Sequence, residues 1–230
     1  MLNTPAPSRS LLCLLVALTA LGEVSTQLII PGLGVIEQAL VAPPGSALMA
    51  LSAFVAAFGL GQLVFGPLSD RIGRRPVLLG GLVLYGVATL SMLLVNDIHQ
   101  FIAARVLQGL GACAALVLAR TVVRDVWKAE AGPALALTMI GMLYAIVVAP
   151  MVGGLLIKLV GWRAPIMLAL AIGSAVLLLA LLFFRESNHY LDPKAGHWRT
   201  LGGHYLDLLK GRQYRAFAVA LACPMARCSR

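Results

Sequence analysis

With 230 residues, 60% of them hydrophobic and only 12% charged, and a mean hydropathy of +0.91, the chain falls outside the composition of water-soluble domains. A formal net charge of +9 raises nucleic acid as a partner, but the basic residues form no single patch, and membrane topology accounts for their distribution. Cys13, Cys113, Cys223 and Cys228 make no disulfide framework or metal motif, and His99, His189, His197 and His204 are scattered with no nucleophile nearby, so no metal, cofactor or enzyme constellation is expected.

Six apolar runs approach the ~20 residues a membrane helix needs, at 11–30, 47–65, 77–95, 101–123, 134–157 and 164–184. None alternates with a period of two, which argues against barrel strands and predicts an all-α membrane protein of six transmembrane helices. The first run follows Arg9, as a secretory signal would. It is long for a signal's apolar core, however, and no clear small-residue cleavage site follows, so an uncleaved first helix is expected. On it Thr19, Glu23, Thr26 and Gln27 recur at helical spacing on one face.

An outer loop, 31–46, and the second run lead to "GPLSDRIGRRP", residues 66–76, an inner loop too crowded with special residues to be a plain polar connection. Gly66 is expected to let a helix end pack closely, Asp70 to offer a carboxylate to a cation or a helix N-terminus, and Gly73 to permit a tight turn. Arg74 and Arg75, with Arg71 beside them, would face the anionic leaflet or a partner carboxylate.

After the third run and an outer loop, 96–100, the fourth run carries Arg105 and Gln108 on one face. A charge within a span costs about 2.5–3.5 kcal/mol on insertion scales and faces a cavity or a counter-charge, a structural salt bridge being the plainer form of the second. Counted at ~1.5 Å per residue, Glu23 lies ~18 Å and Arg105 ~22 Å from the cytoplasmic side of a ~30 Å core. Glu23 is therefore the expected partner, and the two polar faces are expected to line a central cavity. An inner loop, 124–133, carries Asp125. In the fifth run Gly141, Ala145, Ala149 and Gly153 recur every four residues as a smooth ridge for close helix approach, and Pro150 is expected to kink it. A last outer loop, 158–163, precedes the sixth run.

The inner segments and the tail up to residue 215 carry thirteen Lys and Arg residues against two, Lys158 and Arg163, in the outer loops. Such asymmetry orients membrane proteins with their basic loops inside, so the N-terminus and the tail are expected in the cytoplasm. Within the tail, 185–215 is a polar linker whose "YLDLLKGRQYR" reads as an amphipathic helix at the membrane surface. Residues 216–230 begin a seventh run, "AFAVALAC", that stops after eight residues and continues as "PMARCSR", as a frameshift or truncation in a seventh helix would leave it.

Three stretches carry a family resemblance. Residues 66–76 resemble the cytoplasmic loop between the second and third helices of major facilitator superfamily transporters, with its Gly, Asp, Arg, Gly and basic residues at these spacings. "RVLQGLGACAA", from Arg105, is similar to the fourth-helix Arg, Gln, Gly and Gly spacing of the drug/proton antiporter branch, near the bicyclomycin and chloramphenicol resistance group. "GMLYAIVVAPMVGG", from Gly141, resembles that branch's fifth-helix signature, ending in Pro150 and the paired Gly153 and Gly154. The resemblance runs from about residue 11 to about residue 215.

What the resemblance implies is the N-terminal half of a major facilitator fold in the inner membrane, exporting small amphiphilic compounds in exchange for protons. The partners are then a small-molecule substrate, protons, the lipid membrane and a missing C-terminal half, with no nucleic acid and no cofactor. The fifth-helix ridge would find its partner helix in that second half, and Arg74 would pair with Asp125 beside Asp70 as a latch favouring the outward-open state. Alone, the 230 residues are expected not to transport; a non-transporting membrane half, whether regulatory, assembly-related or inert, is the alternative. The chain departs from the branch at Gln27, where an acidic residue commonly stands four places before the Pro that closes the first helix; Glu23, one turn earlier, is the protonatable substitute.

Overall fold

A computed structural model describes residues 8–184 and 186, and the remainder of the expected linker and the seventh run lie outside the described residues. Helix α1 (Arg9–Gln27) begins where the Ser8 hydroxyl accepts the Leu11 N–H at 3.2 Å, satisfying one of the donors that a helix start leaves free. Past a single 3-10 turn at Ile30–Gly32, which holds Pro31, α2 (Leu33–Ala39) continues the same span. Four longer helices follow, α3 (Ser46–Ile72), α4 (Arg74–Leu94), α5 (Ile98–Trp127, capped by Asp97) and α6 (Ala131–Leu159), and then α7 (Ala164–Phe183). Six helical stretches are long and apolar enough to cross a membrane, and no strand occurs among the described residues.

Several segments expected as loops are mostly helix. The expected outer loop 31–46 contains the 3-10 turn and α2, and the inner loop 124–133 shrinks to the turn Lys128–Glu130. In 66–76, α3 runs through Pro67 to Ile72, Gly73 alone interrupts, and α4 starts at Arg74. The reason is that hydropathy marks where lipid ends, whereas the hydrogen-bond ladder of a helix continues wherever the backbone permits. The break falls at Gly73 because its φ of +107° is open essentially to glycine alone.

Helix α5 is the axle of the bundle. Of its most apolar window 67% is buried, against 17% for α6. Glycine makes that position possible: a Cβ on Gly109 would lie 2.6 Å from the Phe54 carbonyl oxygen of α3, and one on Gly111 would lie 2.5 Å from the Tyr85 nitrogen of α4. Backbone therefore meets backbone on two sides of α5, the close approach that small residues allow where lipid supplies no hydrophobic drive for helix association. Outside this trio, α1 packs on α5, α6 and α7, and α4 on α7.

The α6 ridge does not wait for a helix from elsewhere. It seats α1: a Cβ on Gly141 would strike Val16, one on Gly153 would strike the Leu28 carbonyl, Ala145 and Ala149 are buried, and Gly154 faces Pro31. The opposite face, with Ile140, Leu143, Tyr144, Val147 and Met151, is the exposed one. Bulky apolar groups lose nothing by facing lipid, so the small-residue face turns inward to the nearest helix that can approach it. Pro150 sits inside α6 without ending it.

Candidate functional site

The polar centre of the bundle is built around Arg105, 1% exposed and the largest fully buried side chain among the described residues. Asp97 sets the start of α5, and one helical turn separates Arg105 from Gln108, so both point toward α1 and α4. Arg105 Nη1 donates to Gln108 Oε1 at 2.6 Å and, more weakly, to the Ser25 carbonyl at 3.5 Å, while its Cζ lies 4.3 Å from the Phe54 ring centroid. Gln108 Nε2 donates to Thr89 Oγ1 at 2.8 Å, and Thr89 Oγ1 donates to the Tyr85 carbonyl at 2.6 Å. The Tyr85 hydroxyl meets the Ser25 hydroxyl at 2.6 Å and donates to the Ala169 carbonyl at 3.3 Å. One polar chain thus ties α1, α4, α5 and α7 together.

No Asp or Glu lies within ion-pair distance of Arg105 among the described residues, and its Nη2 has no hydrogen-bond partner. Burying a guanidinium costs several kcal/mol. The charged hydrogen bond to Gln108 recovers about 1.5–3 kcal/mol and the stacking on Phe54 about 2 kcal/mol. The balance leaves the charge uncompensated by any carboxylate among the described residues.

The expected Glu23–Arg105 pair is therefore corrected. Counting residues gives depth in the membrane but not rotation about the helix axis. Arg105 meets the α1 face that carries Ser25, and Glu23, two residues earlier, lies roughly 200° around α1 from it. Nor do the two polar faces line one cavity: Arg105 and Gln108 are sealed in the core, Thr19 is buried with its hydroxyl on the Val16 carbonyl, and Glu23, Thr26 and Gln27 are half-buried. Glu23 makes no hydrogen bond or ion pair among the described residues. Its neighbour Val24, with Leu28, Tyr144, Ala145, Leu168 and Ile172, lines an apolar cleft of about 250 Å³ between α1, α6 and α7. Reading the sequence missed Tyr85, Thr89 and Ser25; for the first two the available signal was a pair of polar side chains four residues apart in a third run whose other polar residue is Ser91.

At the end of the bundle that carries Arg71, Arg74 and Arg75, the Arg74 guanidinium bridges two carboxylates. Its Nη2 lies 3.7 Å from Asp70 Oδ1, and its Nη1 pairs with Asp125 Oδ2. The Arg74 side chain is 10% exposed, Asp125 32% and Asp70 50%, so the link to Asp125, which joins α4 to α5, is the better shielded of the two. Arg71 is exposed. Gly66 was expected at a close contact, but nothing lies within 4 Å of where its Cβ would be, because the close approach falls instead at the α5 glycines. Among the described residues no three of His, Cys, Asp and Glu gather as a metal site.

Residues 12–226 match the Major Facilitator Superfamily. The chain is 34% identical over 211 residues to the multidrug resistance protein D of Escherichia coli (strain K12), covering 88% of this chain and 54% of that one. It is 36% identical over 146 residues to a chloramphenicol resistance protein of Pseudomonas aeruginosa, covering 63% and 35%. A bicyclomycin resistance protein homolog of Haemophilus influenzae is 30% identical over 135 residues, covering 58% and 33%. In fold the chain is similar to the human organic anion transporter MFSD10 (TETRAN), with a TM-score of 0.66 at 19% identity over 85% of this chain and 53% of that one. It spans about half the length, or less, of the relatives it matches.

Proposed function

The chain belongs to the major facilitator superfamily, and from that premise we propose that it is the N-terminal half of a proton-coupled exporter of small amphiphilic compounds, working with a second six-helix half. Supporting this reading, the relatives are named for resistance to several drugs, chloramphenicol and bicyclomycin, and the matched part covers 33–54% of their length. The observation that carries the proton step is Glu23, a carboxyl within the first span, half-buried and free of any hydrogen bond or ion pair among the described residues, next to the residue that lines the α1–α6–α7 cleft. A carboxylate pinned by a cation would resist protonation; an unpaired one near an apolar cleft can take up and release a proton. In this reading Arg105 supplies a fixed positive potential in the core, and the Arg74–Asp70–Asp125 latch holds α3, α4 and α5 together in one of two rocking states. The basic end faces the cytoplasm and the membrane is the inner one.

The test joins the chain to a C-terminal half and measures proton-driven efflux in vesicles. Glu23→Gln abolishes exchange and leaves substrate binding measurable, while the 230 residues alone give no efflux. Undiminished pH-dependent transport in Glu23→Gln removes the carboxyl from the mechanism, and efflux by the isolated chain removes the need for a second half.

A further inference from the structure

A helix leaves its first four backbone N–H groups without acceptors in its own ladder, and beside a bilayer each needs another partner. At α4 all four are accounted for. The cap residue Gly73 has no side chain to offer, and its own N–H donates to the Ser69 carbonyl of α3 at 3.0 Å. The Arg74 and Arg75 N–H groups donate to Oε1 and Oε2 of Glu186, each at 3.0 Å. The fourth position is Pro76, which has no N–H to satisfy. A single carboxylate from beyond the end of α7 thus closes the start of α4, where the positive end of the helix dipole favours it. The fit depends on Gly73 for a second reason besides its φ: a Cβ there would lie 3.0 Å from Glu186 Oε2. Arg75 Nη2 also donates to the Leu181 carbonyl at 3.3 Å, tying the same turn to the last turn of α7.

We propose that Glu186 is a positioning residue for the latch: by capping α4 it fixes the backbone from which Arg74 reaches Asp70 and Asp125, and so couples the chain leaving α7 to the α3–α4 hinge. The proposal rests on the reading of that cluster as a gate. Arg74 is the pivot of both arrangements, since its N–H is held by Glu186 and its guanidinium by Asp70 and Asp125. Losing the carboxylate frees the first turn of α4 to unwind about Gly73, and unwinding by one residue rotates Arg74 by ~100° away from Asp125. Displacement of Glu186 from the Arg74 and Arg75 N–H groups is then felt at the gate through the α4 backbone.

Hydrogen exchange measured by mass spectrometry on the 230-residue chain in nanodiscs tests the cap. Between residues 73 and 77 only four amides contribute, because Pro76 has none, so a change at two of them is resolved. In Glu186→Ala the Arg74 and Arg75 amides are expected to exchange at least about tenfold faster, as loss of charged hydrogen bonds dictates, with α5 segments unchanged. Glu186→Gln, which keeps one neutral acceptor oxygen, falls between. Unchanged exchange at 74 and 75 in both variants overturns the cap; should the alanine variant loosen α5 as well, the glutamine variant decides. A thermal-unfolding cycle of Glu186→Gln with Asp125→Asn tests the coupling, with non-additive shifts expected, and strict additivity overturns the positioning role even where the cap stands. Neither readout involves transport, so a failure of the Glu23 test would refute the proposed function and leave these results standing.

Discussion

Replacing Gly111 by alanine adds one methyl group to a backbone-to-backbone contact between α5 and α4. A Cβ there would lie 2.5 Å from the Tyr85 nitrogen and 2.6 Å from the Gly81 carbonyl oxygen, against an ordinary contact of 3.4 Å or more, so α5 must withdraw from α4 by about 0.9 Å. Both obstacles are backbone atoms of a helix, and no rotamer change moves them aside. Overpacking of this kind costs about 3 kcal/mol at the upper end of its range, and the better helix propensity of alanine returns about 1 kcal/mol. The net loss of about 2 kcal/mol corresponds to a melting temperature lower by about 4–8 °C for a chain of this size. The same displacement acts on the polar centre one turn away. Added to the 2.8 Å between Gln108 Nε2 and Thr89 Oγ1, it carries that pair past hydrogen-bonding distance. Gly86, also on α4, has nothing within 4 Å of its Cβ position. Gly86→Ala is therefore expected to gain about 0.5–1 kcal/mol and to melt a few degrees higher. Thermal unfolding of both variants in one detergent, followed by far-ultraviolet circular dichroism, makes the comparison. A Gly111→Ala chain that melts at or above the wild type, or two glycines that shift together, would refute the packing argument.

Arg74→Ala and Asp125→Ala are expected to be non-additive in a double-mutant cycle, with an interaction of about 0.5–3 kcal/mol, because the pair is largely shielded from solvent; strict additivity would separate the two residues. Gln108→Leu takes from Arg105 its one side-chain acceptor and leaves a buried guanidinium with only the distant Ser25 carbonyl, at an expected cost of about 1.5–3 kcal/mol. Tyr85→Phe removes a hydroxyl whose partner Ser25 keeps its bond to the Leu21 carbonyl, so about 1 kcal/mol is expected. Chemical or thermal unfolding ranks the two, and a Tyr85→Phe chain as damaged as Gln108→Leu would mean that the network is not organised around the charge.

Helix number and approximate position were legible because both depend on sums over neighbouring residues: ~20 apolar side chains in a row have few stable places other than a bilayer. That Arg105 would be held by polar partners inside the bundle, and that the helix would break near Gly73 among its basic and acidic neighbours, was legible for a similar local reason, since a charge inside an apolar run needs partners and a glycine beside arginines permits a turn. What the residues around each of these touch was not legible. Glu23 and Arg105 agree in depth, yet the rotation of α1 gives Arg105 the Ser25 face and leaves Glu23 unpaired among the described residues. The ridge Gly141–Ala145–Ala149–Gly153 declares that some helix comes close, and only the assembled bundle names it as α1. Glu186 reads in sequence as an ordinary charge just past the last span, and only the fold carries it to the backbone of Arg74, 112 residues away. Apolar runs, ridges and breaks are properties of one helix, set by residues within a few turns. Partners depend on the rotation of two helices and on which stands beside which, quantities that close small-residue contacts decide, along α5 for α3 and α4 and along α6 for α1.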